Sequence, residues 1–235
     1  HWHTRVAIQA MQSGKDVYCE KPLTLTIEEG KQICKVAKET GRVFQVGTQQ
    51  RSEMGQKFLT AIGIIREGRI GKIQKVTCNI GGGPRGGPFK KSDPPANIDW
   101  NTWLGQAPKV DYIKERCHYQ FRWWLEYPGG QVTDWGVHHT DIAMWALGLQ
   151  NTGPTTIEGA GAFDNRENCY NVAHTFDALM TFDNGSTINL TSGKNELILT
   201  GSKGKVRVNR GGITGQIVDQ IKSNKQMQEI LADKV

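Results

Sequence analysis

Apolar positions set the rhythm of the first seventy residues. Between residues 4 and 13, Val6, Ala7, Ala10 and Met11 recur at helical spacing, and Gly14 closes the run. Residues 16 to 19 form a short apolar strand. Thr26 and Glu29 make a capping box ahead of a helix predicted over 27 to 40, which Gly41 ends. A second strand follows at 43 to 47. Helix, strand, helix and strand with short links predict a parallel α/β sheet. A third helix is predicted at 55 to 67, with Phe58, Ala61, Ile62 and Ile65 as its apolar stripe.

From Lys72 the period changes. Residues 73 to 80 read as a strand, and a Gly/Pro-rich stretch then runs to Pro95. It is too long for a turn and reads as a candidate lid. After Gly129-Gly130, residues 134 to 147 are predicted as one helix, with Thr133 or Asp134 as N-cap and Gly148 as its stop. Residues 172 to 182 alternate, turn at Asp183-Asn184-Gly185 and return over 186 to 191. A second hairpin pairs 196 to 200 with 205 to 208. This half predicts a mainly antiparallel α+β domain with an open sheet face. The tail from Gly215 is polar with weak helical periodicity.

Composition narrows the function. The 235 residues are 37% hydrophobic and 22% charged, and no run is apolar for long enough to span a membrane. No membrane partner is expected. The net charge of +6 is scattered and accompanies no nucleic-acid motif, so no nucleic-acid partner is expected either. A mildly basic surface suits an anionic cofactor or a sugar acid. Five cysteines at 19, 34, 78, 117 and 169 show no CxxC spacing, against a disulfide framework and a structural zinc site.

Two stretches carry candidate chemistry. In parallel α/β sheets ligands bind at the carboxyl ends of the strands, which puts Glu20-Lys21-Pro22 and Gln49-Gln50-Arg51 on one rim. The Lys21–Pro22 bond is a candidate cis peptide. On the predicted helix, Asp134, His138 and Asp141 fall at i, i+4 and i+7 and share a face. A carboxylate one turn before an imidazole orients it and raises its basicity, which makes His138 a candidate general base. Trp100, Trp103 and Phe121-Arg122-Trp123-Trp124 read as core or as a sugar-stacking platform, with Arg122 and Trp124 as candidate substrate contacts beside Arg51.

These residues resemble the Gfo/Idh/MocA family of oxidoreductases. Ser13-Gly14-Lys15-Asp16-Val17-Tyr18-Cys19-Glu20-Lys21-Pro22-Leu23 is similar to that family's glutamate–lysine–proline segment. Gly129-Gly130 through Asp134, His138 and Asp141 is similar to its second signature. Asp99-Trp100 through Gly105, with residues 121 to 124, resembles a tryptophan-rich branch. The resemblance implies the C-terminal part of a Rossmann-like parallel sheet over 1 to 52. A substrate-binding and oligomerisation α+β domain would follow over 53 to 235. The family's glycine-rich turn is not in this sequence, so the reading is of a fragment whose dinucleotide fingerprint lies upstream.

The implied cofactor is NAD or NADP, contacted by Trp2, His3, Glu20, Lys21 and Gln49. The implied substrate is a small sugar-like alcohol. Lys21, Asp134 and His138 would be catalytic, and Arg51, Arg122, Trp124, Asp134 and His138 would contact substrate. His138 would be the base, Asp134 would orient it and support the substrate hydroxyl, and Lys21 would stabilise the developing alkoxide. No metal is assigned. A homo-oligomer through the antiparallel sheet is expected, in the cytoplasm or exported. Three other readings stay open: a metal-dependent hydrolase using Asp134, His138 and Asp141 with His139 or His118, an NAD-using glycosidase of the same fold, and a binding protein without chemistry.

Overall fold

The structure, a computed structural model, describes residues 1–223. The expected tail beyond residue 223 lies outside the described residues. The chain divides into two compact units. The first comprises His1–Gly47, Gly83–Asp134 and Phe163–His174, and the second Thr48–Gly82, Trp135–Ala162 and the chain from Thr175. Residues 83–134 and 163–174 pack with the N-terminal segment rather than with the sheet that precedes and follows them.

In the first unit, α1 (His3–Gln12), β1 (Val17–Glu20), α2 (Ile27–Thr40) and β2 (Phe44–Gly47) alternate as the sequence predicts. β1 and β2 pair in parallel, with Val17 opposite Phe44 and Glu20 opposite Gly47. The capping box is present: the Thr26 hydroxyl accepts from Glu29 N at 3.2 Å, and the Glu29 carboxylate accepts from Thr26 N. Gly41 ends α2 at a φ of 63°.

The Gly/Pro-rich stretch after residue 80 is not an open lid. Phe89 N donates to Asn168 O at 2.8 Å, and Tyr170 N donates to Gly86 O at 3.1 Å. A Cβ at Gly87 would lie 2.7 Å from Asn168 O, so the strand-like approach of the two segments requires glycine there. Beyond this stretch come α4 (Trp100–Leu104), two 3₁₀ turns over Lys114–Arg116 and His118–Trp123, and α5 (Gln131–Asp134). The tryptophan-rich run forms an aromatic core with Leu104, Ile113, Trp124, Tyr127 and Tyr170. Trp100 and Trp103 stack at 4.8 Å.

The second unit is a seven-stranded sheet in the order β4 (Thr156–Ala162), β5 (Thr175–Thr181), β6 (Thr187–Ser192), β3 (Ile73–Ile80), β7 (Glu196–Gly201), β8 (Gly204–Val208) and β9 (Ile213–Thr214). All neighbours are antiparallel except β3 and β6. One face is apolar: Val76, Cys78, Ile80, Ile188, Leu190, Leu197 and Leu199 are buried. α3 (Lys57–Arg66) and α6 (Gly136–Leu147) belong to the same unit, and their buried apolar residues include Phe58, Ile64, Ile142 and Ala143. Alternation leaves Thr77, Asn189, Thr191 and Ile198 half-buried on the opposite face. α7 (Gln216–Lys222) closes the described chain.

Candidate active site

Lys21 follows directly on the last residue of β1, so the strand delivers it to the carboxyl edge of the parallel pair. Its peptide bond to Pro22 is cis. The ammonium donates to Asp134 twice, at 2.6 Å to Oδ1 and at 2.9 Å to the backbone carbonyl. Arg122 donates from Nη1 to the other carboxylate oxygen at 2.5 Å. Asp134 thus stands between two cations, all three side chains being at most 19% exposed. Arg122 is held in turn by stacking, its Cζ 3.8 Å from the Tyr119 ring centroid and 4.6 Å from that of Trp123.

Beside this triad lies a cavity of about 260 Å³, lined by His1, His3, Thr4, Glu20, Lys21, Pro22, Phe121 and Tyr127 among others. His3 Nδ1 lies 2.8 Å from Pro22 O, which ties α1 to the turn after β1. Three sequence-predicted cofactor residues, His3, Glu20 and Lys21, therefore share one cavity. Trp2 is not in that lining. Its Nε1 donates to Trp103 O at 3.0 Å, which fastens the start of α1 to the end of α4.

Two sequence-based expectations are corrected here. Trp124 is 1% exposed, its Nε1 donates to Glu115 O, and Arg116 covers its ring at 3.8 Å. A ring so enclosed cannot stack on a sugar, and Trp124 is a core residue. The expected single helix over 134 to 147 is also broken. α5 ends at Asp134 and α6 begins at Gly136. The Asp134 carbonyl accepts the Lys21 ammonium, and His139 N bonds to Trp135 O at 3.3 Å as the helix resumes. Neither Thr133 nor Asp134 acts as N-cap; Trp135 holds that place without a side-chain bond, and the Thr133 hydroxyl donates to carbonyls upstream. Asp134 and His138 consequently lie on separate helices.

The remaining predicted residues belong to the second unit. Gln49 and Arg51 form a 3₁₀ turn after β2. Arg51 binds Asp141 through two bonds, at 2.8 and 2.7 Å, and lies 5.2 Å from the Trp145 ring centroid. That bidentate pair occupies the carboxylate which the metal-hydrolase reading needed. Among the described residues no group of three or more His, Cys, Asp or Glu is arranged to hold a metal ion.

His138 is 5% exposed near the start of α6, and its carbonyl accepts from Gln50 Nε2 at 3.1 Å. His139 is fully buried between Gln50 and Asn195. Burial pulls its pKa down to about 4, against the Asn195 hydrogen bond and with the Arg210 charge adding to the fall. Gln50, which spacing marked only as a rim residue, is 1% exposed and joins both histidines.

The chain is similar to known proteins. Residues 1–48 match the family model described as "Oxidoreductase family, NAD-binding Rossmann fold", and residues 87–231 match "Oxidoreductase family, C-terminal alpha/beta domain". A scyllo-inositol 2-dehydrogenase (NAD(+)) of Bacillus subtilis is 29% identical over 163 residues, 69% of this chain and 36% of that protein. An inositol 2-dehydrogenase of Rhizobium meliloti is 26% identical over 68% of this chain and 37% of its own length. The chain thus spans little more than a third of these relatives. Among solved structures, an aldose-aldose oxidoreductase from Caulobacter crescentus complexed with glycerol superposes with a TM-score of 0.65 at 20% identity, over 92% of this chain and 59% of that one. With both the Rossmann and the C-terminal models matched along its length, the chain belongs to the Gfo/Idh/MocA family of oxidoreductases.

Proposed function

We propose that this chain is the catalytic portion of an NAD(P)-dependent oxidoreductase that acts on a CH–OH group of a sugar, cyclitol or related compound. The observation that carries the reading is Lys21, held by Asp134 and exposed to a cavity at the carboxyl end of β1. The inositol dehydrogenases among its relatives support a cyclitol or sugar as the substrate class.

The cavity suits one end of an extended dinucleotide. At about 260 Å³ it lies just below the roughly 300–1,000 Å³ of drug-sized pockets, enough for one ring and its ribose. Lys21, His3, Thr4 and Glu20 offer polar groups there, while Pro22 and Phe121 offer apolar contact. A bound nicotinamide would supply the hydride acceptor.

The chain's own groups handle the proton and the charge. An ammonium has three donors, and Asp134 takes two of the three at Lys21. The third is left for the substrate oxygen, where it stabilises the alkoxide that develops as the hydroxyl proton leaves. Asp134, held by Arg122, fixes the Lys21 amine in place. His138, four residues beyond Asp134 in the family signature, is the proposed acceptor of the hydroxyl proton. Arg51 remains a proposed substrate contact, while Gln49 and Trp2 remain proposed cofactor contacts. A homo-oligomer formed through the open face of the sheet completes the proposal.

The test uses the whole protein. Purified protein is offered NAD+ or NADP+ with scyllo-inositol, myo-inositol and a panel of aldoses, and reduced nicotinamide is followed by absorbance. Reduction with at least one polyol is expected. No reduction with any of them, in protein shown by calorimetry to bind the dinucleotide, overturns the reading.

A further inference from the structure

We propose that Gln50 is a positioning residue for His138: one buried carboxamide grips the backbone of His138 and the ring of His139 together, and so sets where α6 carries the imidazole. The inference rests on His138 being the general base, whereas the hydrogen-bond network beneath it does not.

Every polar atom of that carboxamide is used. Nε2 donates to the His138 carbonyl at 3.1 Å and faces His139 Nδ1 at 3.3 Å. Oε1 accepts from Arg210 Nε at 3.1 Å. On its far side His139 Nε2 lies 3.0 Å from Asn195 Oδ1.

Only one assignment of protons suits all four residues. Arg210 can only donate, so the Gln50 oxygen faces it and the Gln50 amide nitrogen faces the histidines. His139 Nδ1 must then accept, which leaves the single ring proton on Nε2, and Asn195 must turn its oxygen to receive it. A rotated Gln50 amide would set its oxygen against the His138 carbonyl and its nitrogen against the guanidinium. A doubly protonated His139 would set N–H against N–H. The positive charge of Arg210 opposes protonation of His139, as burial does.

The consequence is mechanical. Gln50 comes directly from the turn after β2, and its two donors seize adjacent residues near the start of α6. The Arg210 guanidinium lies over the Trp135 ring at 4.2 Å, so the residue that orients Gln50 also covers the N-cap of the same helix. A general base must sit within about 2.6–3.2 Å of its proton, and a misplacement of about 1 Å costs on the order of a hundredfold. A helix start fixed by backbone and ring bonds meets that tolerance better than one fixed by packing.

The primary experiment needs no cofactor. Nitrogen-15 spectra of the histidine side chains are recorded at pH 6 on the full chain and on Gln50→Glu and Gln50→Leu. In the unaltered chain His139 is expected as the neutral Nε2–H tautomer. Glutamate at position 50 can only accept, so His139 is expected to carry a proton on Nδ1, and the His138 ring signals are expected to shift in both variants. A neutral Nδ1–H tautomer of His139 in the unaltered chain overturns the proposal. So do His138 signals that stay unchanged in both variants.

In the whole protein, with scyllo-inositol and NAD+ as probes, Gln50→Leu is expected to lower kcat by about tenfold or more while KM stays within about twofold. A change in KM alone also overturns the proposal. Unaltered protein that reduces no NAD+ but shows the expected tautomer and His138 shifts counts against the oxidoreductase reading while supporting the Gln50 grip.

Discussion

At the scale of residues, two motifs chosen for chemistry separate into different physical roles. Lys21, Asp134 and Arg122 form a chain of partly buried charges in which the carboxylate answers both cations. Removing Arg122 or Lys21 leaves Asp134 one partner, while removing Asp134 leaves two cations facing each other. On the proposed function, Lys21→Ala and His138→Ala in the whole protein each lower turnover by about 10²–10⁴-fold, measured as kcat at saturating dinucleotide. NAD+ affinity, read by calorimetry, should hold in His138→Ala. An unimpaired His138→Ala enzyme would show that the wrong histidine has been assigned.

His139 supports a prediction that needs no activity. Its pKa is about 4 in the folded chain against 6.5 unfolded. Between those values the unfolded chain takes up a proton that the folded chain refuses, so stability falls as pH drops from 6.5 toward 4. The contribution is on the order of 3 kcal/mol by the bottom of that window. Urea unfolding at pH 7 and pH 4.5 should show the loss in the parent chain. In His139→Leu the absolute stability is lower but the slope over this window is flatter. Equal slopes would mean that His139 titrates normally.

Elements were legible where one local rule governed them. The capping box at Thr26, the apolar stripe of α3 and the Asp183-Asn184-Gly185 hairpin each needed only residues within a few positions, and each stands close to where spacing puts it. What failed was decided at a distance. The break before α6 follows from Lys21 reaching the Asp134 carbonyl, 113 residues away in sequence. β4 was missed because Thr156–Ala162 is exposed on both faces, so no alternation marks it. The parallel pairing of β3 with β6 joins strands too far apart for a turn signal. Trp124 looked like a platform because a sequence does not say which ring is covered. Of the site, the glutamate–lysine–proline turn was readable from strand position, whereas the Arg122 clamp and the Gln50 network were not. A glycine in this region offers a test at the same scale. Gly130 sits at a φ of 77°, and a Cβ there would lie 2.6 Å from Val172 Cβ. Gly130→Ala combines backbone strain with overpacking, and about 2–4 kcal/mol of lost stability is expected by denaturant titration. A cost below about 1 kcal/mol would mean that the Gly129-Gly130 turn relaxes freely.

At the scale of the whole molecule, the seven-stranded sheet carries its own asymmetry. One face holds Val76, Cys78, Ile188, Leu190, Leu197 and Leu199, all at most 2% exposed. The other presents Thr77, Asn189, Thr191 and Ile198, half-buried, together with the paired Glu196 and Arg207. β4 lies at one edge with all seven residues exposed, and Ile157 on it is 64% exposed. Ile157 aligns through Met180 with Ile188 on the buried face, so what an association through the open face would cover is Ile198 and its half-buried neighbours. If the whole protein associates this way, sedimentation velocity at micromolar concentration should give an oligomer. Ile198→Asp should then dissociate it without unfolding it, because the residue lies on the open face, where a carboxylate in a monomer remains hydrated. A buried interface would instead strand that charge on each copy facing its symmetry mate. Circular dichroism separates dissociation from unfolding. A parent protein that sediments as a monomer, or an Ile198→Asp protein that keeps the parent's oligomeric state, would place the contact on some other surface and leave the open face to solvent.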